Sequence, residues 1–441
     1  MKNKMLKNSK YLLFFFLFLL SYLFLPQVAA DESWSYGFAY NVATGLVPYQ
    51  DFNMIIPPFF PFLFSIGLCF YKGILMFHIE QALMMTGICY MLERLVPKKY
   101  LLLVLLLLVT PCMVYNLPTY NTVCFFFILC LILLEEKNHS DFWIGIILGL
   151  MILTKQSIGL VALLVGVYLV YGKKEKFIKR LWGFSIPLFL AGCYFIIAGN
   201  FFDFLDQCLF GMVDFSGNGQ VFILRPLFCI LFFVLFLFWW KRGTYHKKWL
   251  YAISFYSICL PLFDLSHFSL GAFSLLVVFL AHSREEFSPH QRLALILFIV
   301  MTPCATFLHT YRTGYFPSDI LNHEYRYLDY DNYRNLSVLR EYSEKHFDQK
   351  IVILSTSAYL FKLSSGIPID KLDLINKGNW GIRGTEKIIT EIQKLRGSST
   401  LFLINPEEAL DNQIDKDVLN YVIRTGKKVD KVLYFDVYQL K

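Results

Sequence analysis

Three carboxylates lie close together near the start of the sequence, in a stretch without lysine or arginine. Asp31 and Glu32 follow the first apolar segment, and Asp51 comes about twenty residues later. The next lysine or arginine after them is Lys72. If this stretch borders a membrane, a carboxylate there is partly desolvated and can act as a general base. Two acids are also easily tolerated in a loop without function, so the acids need support from other features.

The same stretch carries a recognisable motif. It continues through the segment Gly45–Phe52, with the sequence GLVPYQDF, to Pro57 and Pro58. The two prolines restrict the backbone and redirect the chain. Tyr49, inside this motif, is a further candidate for contact with a ligand.

A single cation stands between two apolar segments further on. Lys155 and Gln156 belong to the sequence Leu-Thr-Lys-Gln-Ser at 153–157. An isolated ammonium at this position suits a phosphate group. A lysine can also mark a helix end by extending its ammonium towards water, which would need no ligand.

Three more residues could assist such a phosphate site. Asp264 and His267 are spaced Asp–x–x–His at a predicted turn, where the His could face a phosphate or sugar and Asp264 could instead cap a helix. Arg225, just inside a predicted apolar helix, is a possible phosphate clamp.

Glu80 lies within another apolar helix, where it could have a functional role or only form hydrogen bonds to neighbouring helices.

The elements that position these residues are apolar helices. The chain has 441 residues, of which 56% are hydrophobic and 17% charged. Soluble domains are usually about 45–50% apolar and about 25% charged, so the composition predicts an integral membrane protein. About eleven spans are predicted, at 11–29, 73–93, 100–116, 119–134, 141–154, 156–171, 182–199, 221–240, 249–264, 268–282 and 291–308.

The first span has two interpretations. Basic residues, an apolar run and Val28-Ala29-Ala30 resemble a cleaved signal peptide. The apolar run is long for a signal, which favours an uncleaved first helix. Both interpretations place Asp31 on the outer side.

Positive charge indicates the orientation. Most basic residues of the membrane region fall in alternate connecting segments: Lys2, Lys4, Lys7, Lys10, Arg94, Lys98, Lys99, Lys137, Lys173, Lys174, Lys176, Lys179, Arg180, Lys241, Arg242, Lys247, Lys248, Arg284 and Arg292. Cytoplasmic loops carry such an excess, so the N-terminus is predicted inside and the C-terminus outside. The net charge of +8 thus reports orientation, and no nucleic-acid partner is expected.

The composition changes after about residue 308. Apolar runs at 351–354, 401–404 and 432–435 predict strands, and helical periodicity appears at 333–347, 386–395 and 416–424. We therefore expect a membrane domain at 1–308, with a first outer loop at about 30–72, and a small extracytoplasmic α/β domain at 309–441. The loop at 376–381 could contact substrate or be a structural turn.

Nine of the ten cysteines lie in apolar segments, where free cysteine packs as a small hydrophobic residue. No Cys/His spacing typical of a metal site is present in the sequence. Neither a disulfide framework nor a metal site is predicted.

Taken together, these motifs resemble the GT-C glycosyltransferase superfamily, in particular the protein O-mannosyltransferase and aminoarabinose-transferase-like group. The resemblance rests on Asp31-Glu32, the GLVPYQDF motif with its two prolines, Gly145 and Gly149 before Thr-Lys-Gln at 154–156, Asp264 with His267, and the C-terminal α/β region. It implies a GT-C-like helical fold and a polyprenyl-phosphate-linked sugar as donor. The expected acceptor is an extracytoplasmic glycan, lipid or protein.

The resemblance also implies roles for the residues. Asp31 would deprotonate the acceptor hydroxyl, which attacks the anomeric carbon with inversion, and Glu32 or Asp51 would orient the acceptor. The donor phosphate would be bound by Lys155, Gln156, Arg225 and His267, without a metal or other cofactor. The chain departs from the pattern at His78–Glu80, where relatives often carry an arginine.

Two other classes remain open at this point. A polymerase or ligase with a diphosphate-lipid donor usually has arginine-rich outer loops, which this sequence lacks. A transporter or flippase predicts internal repeats and paired charges within the membrane. No internal repeat is visible in the sequence, so a multi-pass membrane glycosyltransferase is the main prediction.

Overall fold

The structure is a computed structural model. It describes residues 2–24, 30–97, 119–137, 140–211, 247–259, 271–275, 277–278, 281, 315–320, 324–355, 358–365, 367–376, 378–407 and 415–441. The chain folds into two compact units. Unit one comprises Met1–Leu25, His78–Ala191 and Val221–Thr313; unit two comprises Pro26–Phe77, Gly192–Gln220 and Gly314–Lys441.

The described α-helices are α1 (Lys2–Phe24), α2 (Ala30–Ala43), α3 (Phe59–Leu68), α4 (Ile74–Leu95), α5 (Tyr120–Glu136), α6 (Asp141–Ile152), α7 (Gln156–Leu169), α8 (Lys174–Ile197), α9 (Phe201–Leu205), α10 (Leu250–Ser254), α11 (Tyr330–Lys345), α12 (Ala358–Ser365), α13 (Gly384–Gln393) and α14 (Lys416–Thr425). The strands are β1 (Tyr315–Ile320), β2 (Glu324–Asp329), β3 (Ile351–Leu354), β4 (Leu401–Ile404), β5 (Gly426–Val432) and β6 (Phe435–Leu440). A π-helical turn spans Asp206–Phe210.

The predicted spans agree with the helices where the structure describes them. Helices α1 and α4 to α8 cover six of the predicted spans. Among the described residues, α4 and α8 are long and apolar enough to cross a membrane, and four shorter apolar helices accompany them. The spans predicted at 100–116, 221–240 and 291–308 lie outside the described residues, and those at 249–264 and 268–282 lie partly outside. The number of eleven stays a prediction.

Glycines allow α6 and α8 to pack closely in unit one. A Cβ added at Gly183 of α8 would lie 2.0 Å from the carbonyl oxygen of Phe142, and one at Gly145 of α6 would lie 2.0 Å from that of Arg180. Small residues let helix backbones approach in this way. Gly145 is one of the residues on which the family resemblance rests, and close helix packing explains why a glycine is present there.

A buried arginine joins five helices of unit one. The Arg180 guanidinium on α8 lies 2.9 Å from Glu135 of α5 and 2.6 Å from Asp141 of α6. It also donates to the Gly166 carbonyl of α7 at 2.7 Å and to the Tyr251 hydroxyl of α10 at 3.2 Å. A buried charge is tolerated only when paired and hydrogen-bonded. These contacts engage both terminal nitrogens of the guanidinium, whereas its Nε has no hydrogen-bond partner among the described residues.

The stretch at 30–72, predicted as an outer loop, is largely helical. It contains α2 and α3, joined by a turn at 44–58, and α3 begins directly after Pro58. Proline suits a helix start because its fixed φ is helical and its missing N–H would have no partner there. The sequence did not predict these helices, because its polar and aromatic residues hide the helical pattern of 30–43. The position of this stretch outside the membrane stays a prediction.

Two sheets belong to unit two. Strands β1 and β2 form an antiparallel pair. The other sheet has the order β3-β4-β6-β5, with β3 and β4 parallel and the remaining pairs antiparallel. All residues of β3, at one edge of this sheet, and of its parallel neighbour β4 are buried, as expected for strands covered on both faces.

Most C-terminal elements match the sequence prediction. Strands β3 and β4 and helices α11, α13 and α14 lie where expected. The predicted strand at 432–435 was wrong, because this segment is the tight turn between β5 and β6. Leu433 there has a φ of 56°, a left-handed conformation that a continuous strand excludes. The helical body and the small C-terminal sheet of the predicted fold are confirmed, whereas the domain boundary near 308 stays a prediction.

A buried ion pair lies beneath this sheet. The Lys362 ammonium is 2.8 Å from the Asp373 carboxylate, and both side chains are 0% exposed. Burial raises the pKa of Asp373 to about 6, and the neighbouring Lys362 ammonium opposes that rise. Removing either partner would leave the other as an unpaired buried charge, which would destabilise the folded protein.

The glycine contact predicts a clear difference between two substitutions in α8. Gly183→Ala should destabilise the protein by about 1–3 kcal/mol, because the methyl group must displace the Phe142 carbonyl. Gly192→Ala is the control, since its added Cβ would be 3.8 Å from Phe201, an ordinary contact. Thermal unfolding of the purified protein measures both. Equal stability of the two variants would contradict the close packing.

The buried ion pair makes a second prediction. Lys362→Met should cost about 3–5 kcal/mol, because an unpaired carboxylate remains buried. Lys350→Met is the control, because it removes the partner of Asp370 from an ion pair whose lysine is 44% exposed. It should lower the free energy of unfolding by about 1 kcal/mol or less. Urea unfolding of the full chain measures both losses.

The loss in Lys362→Met should also depend on pH. Without the ammonium the pKa of Asp373 in the folded state rises further, so the folded protein keeps a proton on this carboxyl. The unfolded chain releases that proton at any pH above the ordinary pKa of an aspartate, so raising the pH favours unfolding. The deficit should therefore grow from pH 5 to pH 8, and added Asp373→Asn should recover part of it. A deficit independent of pH would argue against an unpaired carboxylate.

Candidate active site

The acidic pair near the start of the chain lies in a helix of unit two. Asp31 and Glu32 are the second and third residues of α2, and their side chains lie outside the described part of the structure. Helix α2 is fixed within the unit by two hydrogen bonds. The Tyr36 hydroxyl donates to the Lys72 carbonyl at 2.5 Å, and the Asn41 amide donates to the Tyr359 hydroxyl at 3.3 Å.

Asp51 closes the turn that follows α2. Its Oδ2 accepts a hydrogen bond from the Val47 N–H at 2.7 Å, and the Tyr49 N–H donates to the Phe52 carbonyl at 2.8 Å. Tyr49 has a φ of 67°, which such a tight turn requires. Asp51 is half-buried, and Oδ2 is engaged in shaping the turn, which leaves Oδ1 for a ligand.

Tyr49 is buried, and its hydroxyl points into unit two. It donates to the Ile56 carbonyl at 2.9 Å and accepts from the Cys208 thiol at 3.0 Å. Burial raises the pKa of Tyr49 well above its ordinary value and that of Cys208 to about 12. Both groups therefore stay neutral, and they position the turn.

Four buried amide side chains hold the same segment: Asn53, Asn200, Gln207 and Asn379. Gln207 donates to Asn53 at 2.9 Å and accepts from the Met54 N–H at 3.3 Å. Asn200 donates to the Pro48 carbonyl at 2.7 Å, and Asn379 accepts from the Ile55 N–H at 3.1 Å. Amides can donate and accept at once, so they satisfy backbone groups that an irregular segment leaves unpaired.

An ion pair strengthens this arrangement. Asp206, in the π-helical turn, pairs with Lys387 and accepts from the Ile382 N–H at 3.0 Å. The loop at 376–381 is a turn, with positive φ at Gly378 and Gly381 and the Trp380 indole donating to the Leu374 carbonyl at 3.1 Å. Through Asn379 and Asp206 this turn contributes to holding the acidic segment.

Lys155 lies in unit one, where two helices begin. It is the N-cap residue of α7, and its ammonium donates to the Asn121 side chain, in the first turn of α5, at 2.8 Å. The ammonium also lies 5.2 Å from the centre of the Tyr120 ring, a cation–π distance. Thr119 caps α5 by accepting from the Asn121 N–H.

This arrangement concentrates positive potential. The N-terminus of a helix carries roughly half a positive charge and presents N–H groups that lack acceptors in the helix. Here the starts of α5 and α7 meet at one ammonium that is half-buried. Such a combination favours an anion such as phosphate. Gln156, the first residue of α7, is also half-buried and adjoins this site.

The remaining candidates are placed as follows. Glu80 is a half-buried residue of α4, beside the fully buried His78 and Gln81. The His78 ring packs 6.0 Å from that of Tyr22 on α1. Arg225, Asp264 and His267 lie outside the described residues, so their roles stay predictions.

Several positioning residues were missed from the sequence, notably Asn121, Gln207 and Asn379. Asn121 is a polar residue at the start of an apolar run, which is a detectable signal. Gln207 and Asn379 lack such a signal, because asparagine and glutamine are ordinary residues of loops.

Comparison with known proteins shows which fold this is. No protein-family model and no curated protein matches the sequence. The structure is similar to the crystal structure of ArnT from Cupriavidus metallidurans bound to undecaprenyl phosphate, with a TM-score of 0.58, 12% identity, and coverage of 98% of this chain and 97% of that chain. It is also similar to ArnT from the same organism in the apo state, with a TM-score of 0.52, 11% identity and coverage of 98% of both chains.

At this identity the likeness shows a shared fold over nearly the whole chain. The resemblance to the aminoarabinose-transferase-like group, inferred from short motifs, is therefore confirmed at the level of the fold.

The amide contacts predict that Gln207 controls the mobility of the acidic segment. In Gln207→Leu the Met54 N–H loses its acceptor and Asn53 loses its donor, at a cost of about 1–3 kcal/mol. Amide hydrogen exchange in a peptide covering 47–58 should accelerate by about tenfold or more. Gln393→Leu makes the same chemical change at an exposed position of α13 and should leave exchange unchanged. Unchanged exchange in both variants would show that Gln207 does not hold the segment.

Proposed function

We propose that this protein is an integral membrane glycosyltransferase that moves a sugar from a polyprenyl-phosphate donor to an extracytoplasmic glycan, lipid or protein. The observation that carries the proposal is the meeting of the starts of α5 and α7 at the Lys155 ammonium. A lipid phosphate is the anion that such a site suits in an apolar helical protein.

The shared fold supports the same donor class. The ArnT crystal structure that this chain resembles contains undecaprenyl phosphate, a polyprenyl phosphate. Function depends on the residues of the site as well as on the fold, and the chemistry of the candidate residues suits the same donor.

The proposed reaction is a single displacement. The Asp31 carboxylate takes the proton of the acceptor hydroxyl, and the acceptor oxygen forms a bond to the anomeric carbon from the face opposite the phosphate. The bond between the anomeric carbon and the phosphate oxygen breaks, and its electron pair leaves with the polyprenyl phosphate. The sugar therefore changes its anomeric configuration.

Negative charge grows on the phosphate as this bond breaks. Lys155, with Gln156 beside it, stabilises that charge, and Arg225 and His267 are proposed to complete the set. Because protein cations supply the neutralising charge, the mechanism requires no metal or other cofactor.

The remaining carboxylates have supporting roles in this proposal. Glu32, next to Asp31, orients the acceptor. Asp51 shapes the turn through Oδ2 and offers Oδ1 to an acceptor hydroxyl. The amides around Gln207 keep this turn rigid, which reduces the entropy that would be lost on binding.

We further propose that the protein crosses the membrane many times, with a cytoplasmic N-terminus and the C-terminal α/β region outside. The support is the excess of lysine and arginine in alternate segments. The apolar helices α4 and α8 are consistent with it.

Two substitutions test the mechanism in a transfer assay with polyprenyl-phosphate sugars and cell-envelope acceptors. Asp31→Asn should lower the rate by about 10²–10⁴, the usual contribution of a general base. Lys155→Gln should lower it by about 10²–10³, through lost stabilisation of the leaving phosphate. Asp203→Asn and Lys176→Gln make the same chemical changes at exposed positions and should transfer at the wild-type rate.

Folding of each variant is checked by thermal unfolding, so that inactivity is not confused with misfolding. Full transfer by folded Asp31→Asn would remove Asp31 as the base. If no lipid donor supports transfer by the wild type, the glycosyltransferase proposal fails.

A further inference from the structure

An apolar groove lies on unit one, away from the residues discussed so far. It runs along α4, α5 and α6, has a volume of about 400 Å³, and is lined by Gly87, Met91, Phe126, Leu133, Leu134 and Ile147. This volume is within the range of roughly 300–1,000 Å³ for small-molecule sites. Met91 forms the buried floor, and the others are half-exposed, so the groove opens at the surface of the unit.

The length of the groove matches one leaflet of a bilayer. Its lining on α5 extends from Phe126 to Lys137. At 1.5 Å per residue this is roughly 16 Å, whereas the hydrocarbon core of a bilayer is about 30 Å thick. One acyl chain of a membrane lipid has this extent.

The end of the groove is positively charged. Lys137, an exposed lining residue, makes no ion pair with any described residue. The Arg94 guanidinium lies 4.3 Å from the centre of the Tyr90 ring, which also lines the groove.

The acids nearest to Lys137 in sequence pair with other cations. Glu135 pairs with Arg180 at 2.9 Å, and Glu136 pairs with Lys248 at 3.2 Å. The positive charge of Lys137 is therefore not balanced by its neighbours on α5.

From these features we infer that the groove binds an anionic glycerophospholipid of the inner leaflet, with one acyl chain along α5 and the phosphate at Lys137 and Arg94. The inference rests on the membrane location and orientation in the proposed function, which place Lys137 on the cytoplasmic side. Each cation near a membrane surface contributes about 1 kcal/mol to attraction of anionic lipid.

The groove is distinct from the donor-phosphate site. Asn121, the partner of Lys155, is sixteen residues before Lys137 on the same chain, which corresponds to roughly 24 Å along a helix. A phosphate at Lys155 and one at Lys137 are therefore at opposite ends of α5.

The test measures lipid retention by native mass spectrometry. The purified full chain is reconstituted with equal amounts of phosphatidylglycerol and phosphatidylcholine, and the bound lipids are compared. We expect the wild type to retain phosphatidylglycerol preferentially. In Lys137→Gln this preference should be about fivefold weaker, because a loss of about 1 kcal/mol corresponds to that factor at 25 °C. Lys176→Gln, at an exposed position of α8, should keep the wild-type preference.

A second variant tests the apolar part independently of charge. Cys130 is half-exposed and lines the groove, so Cys130→Phe should fill it and lower retention of both lipids. Thermal unfolding shows whether this variant remains folded. If it fails to fold, Gly87→Ala replaces it, since its Cβ would enter the groove 3.0 Å from the Phe126 ring.

Equal effects of Lys137→Gln and Lys176→Gln would overturn the inference, as would equal retention of the two lipids. The inference would also be overturned if added polyprenyl phosphate displaced phosphatidylglycerol from the wild type and this displacement were absent in Lys137→Gln. Sugar transfer is measured separately. Retention of phosphatidylglycerol without transfer contradicts the enzyme proposal alone, and transfer without selective retention contradicts the groove alone.

Discussion

The contacts of one buried arginine, Arg180, connect five helices of unit one. Arg180 is 3% exposed, and its guanidinium contacts α5, α6, α7 and α10 from its place on α8. Removing a charge from water is unfavourable unless it is paired, so moving any of these helices away would cost a contact of the buried guanidinium. The close approach of α6 and α8 through Gly145 and Gly183 depends on the same geometry. With the ends near Arg180 fixed, the opposite ends of α5 and α7 are also fixed, and there Lys155 meets Asn121.

Unit two uses hydrogen bonds where unit one uses an ion pair. The turn after α2 has little regular structure, and its backbone groups are satisfied by buried amides, among them Gln207 and Asn379. Such groups are satisfied in only a narrow range of geometries, so the acidic segment is held in one conformation. For the proposed glycosyltransferase this matters because a carboxylate that orients the acceptor, as proposed for Asp51, acts efficiently only when it is already positioned. The stability of unit two and the positioning of the Asp51 carboxylate therefore have a common origin.

The sequence predicted the candidate residues better than it predicted their surroundings. Lys155 was identifiable as an isolated cation between apolar segments, but its partner Asn121 was assigned only to a span. The predicted outer loop at 30–72 contains two helices joined by a turn. The sequence did not predict them, because propensity within a short polar stretch is weak compared with the packing around it. The segment 432–435 has the composition of a strand and forms a turn, since Leu433 takes a left-handed conformation that only the pairing of β5 with β6 requires.

Composition and periodicity by themselves determined that this is a largely helical, apolar chain with a small C-terminal sheet. These properties follow from the hydrophobic pattern along the chain, which local sequence contains in full. Short motifs also gave the resemblance to the aminoarabinose-transferase-like group, which the structural comparison confirms at the level of the fold. Only the tertiary structure decided that Asp51 closes a turn, that Tyr49 is buried against Cys208, and that Lys155 joins two helix starts. The contacts of Tyr49 and Lys155 join residues that are far apart in the sequence, so packing alone sets their distance in space. The contact of Asp51 with the Val47 N–H is local, but the backbone of that turn is held by Asn200 and Gln207, which are also distant in the sequence.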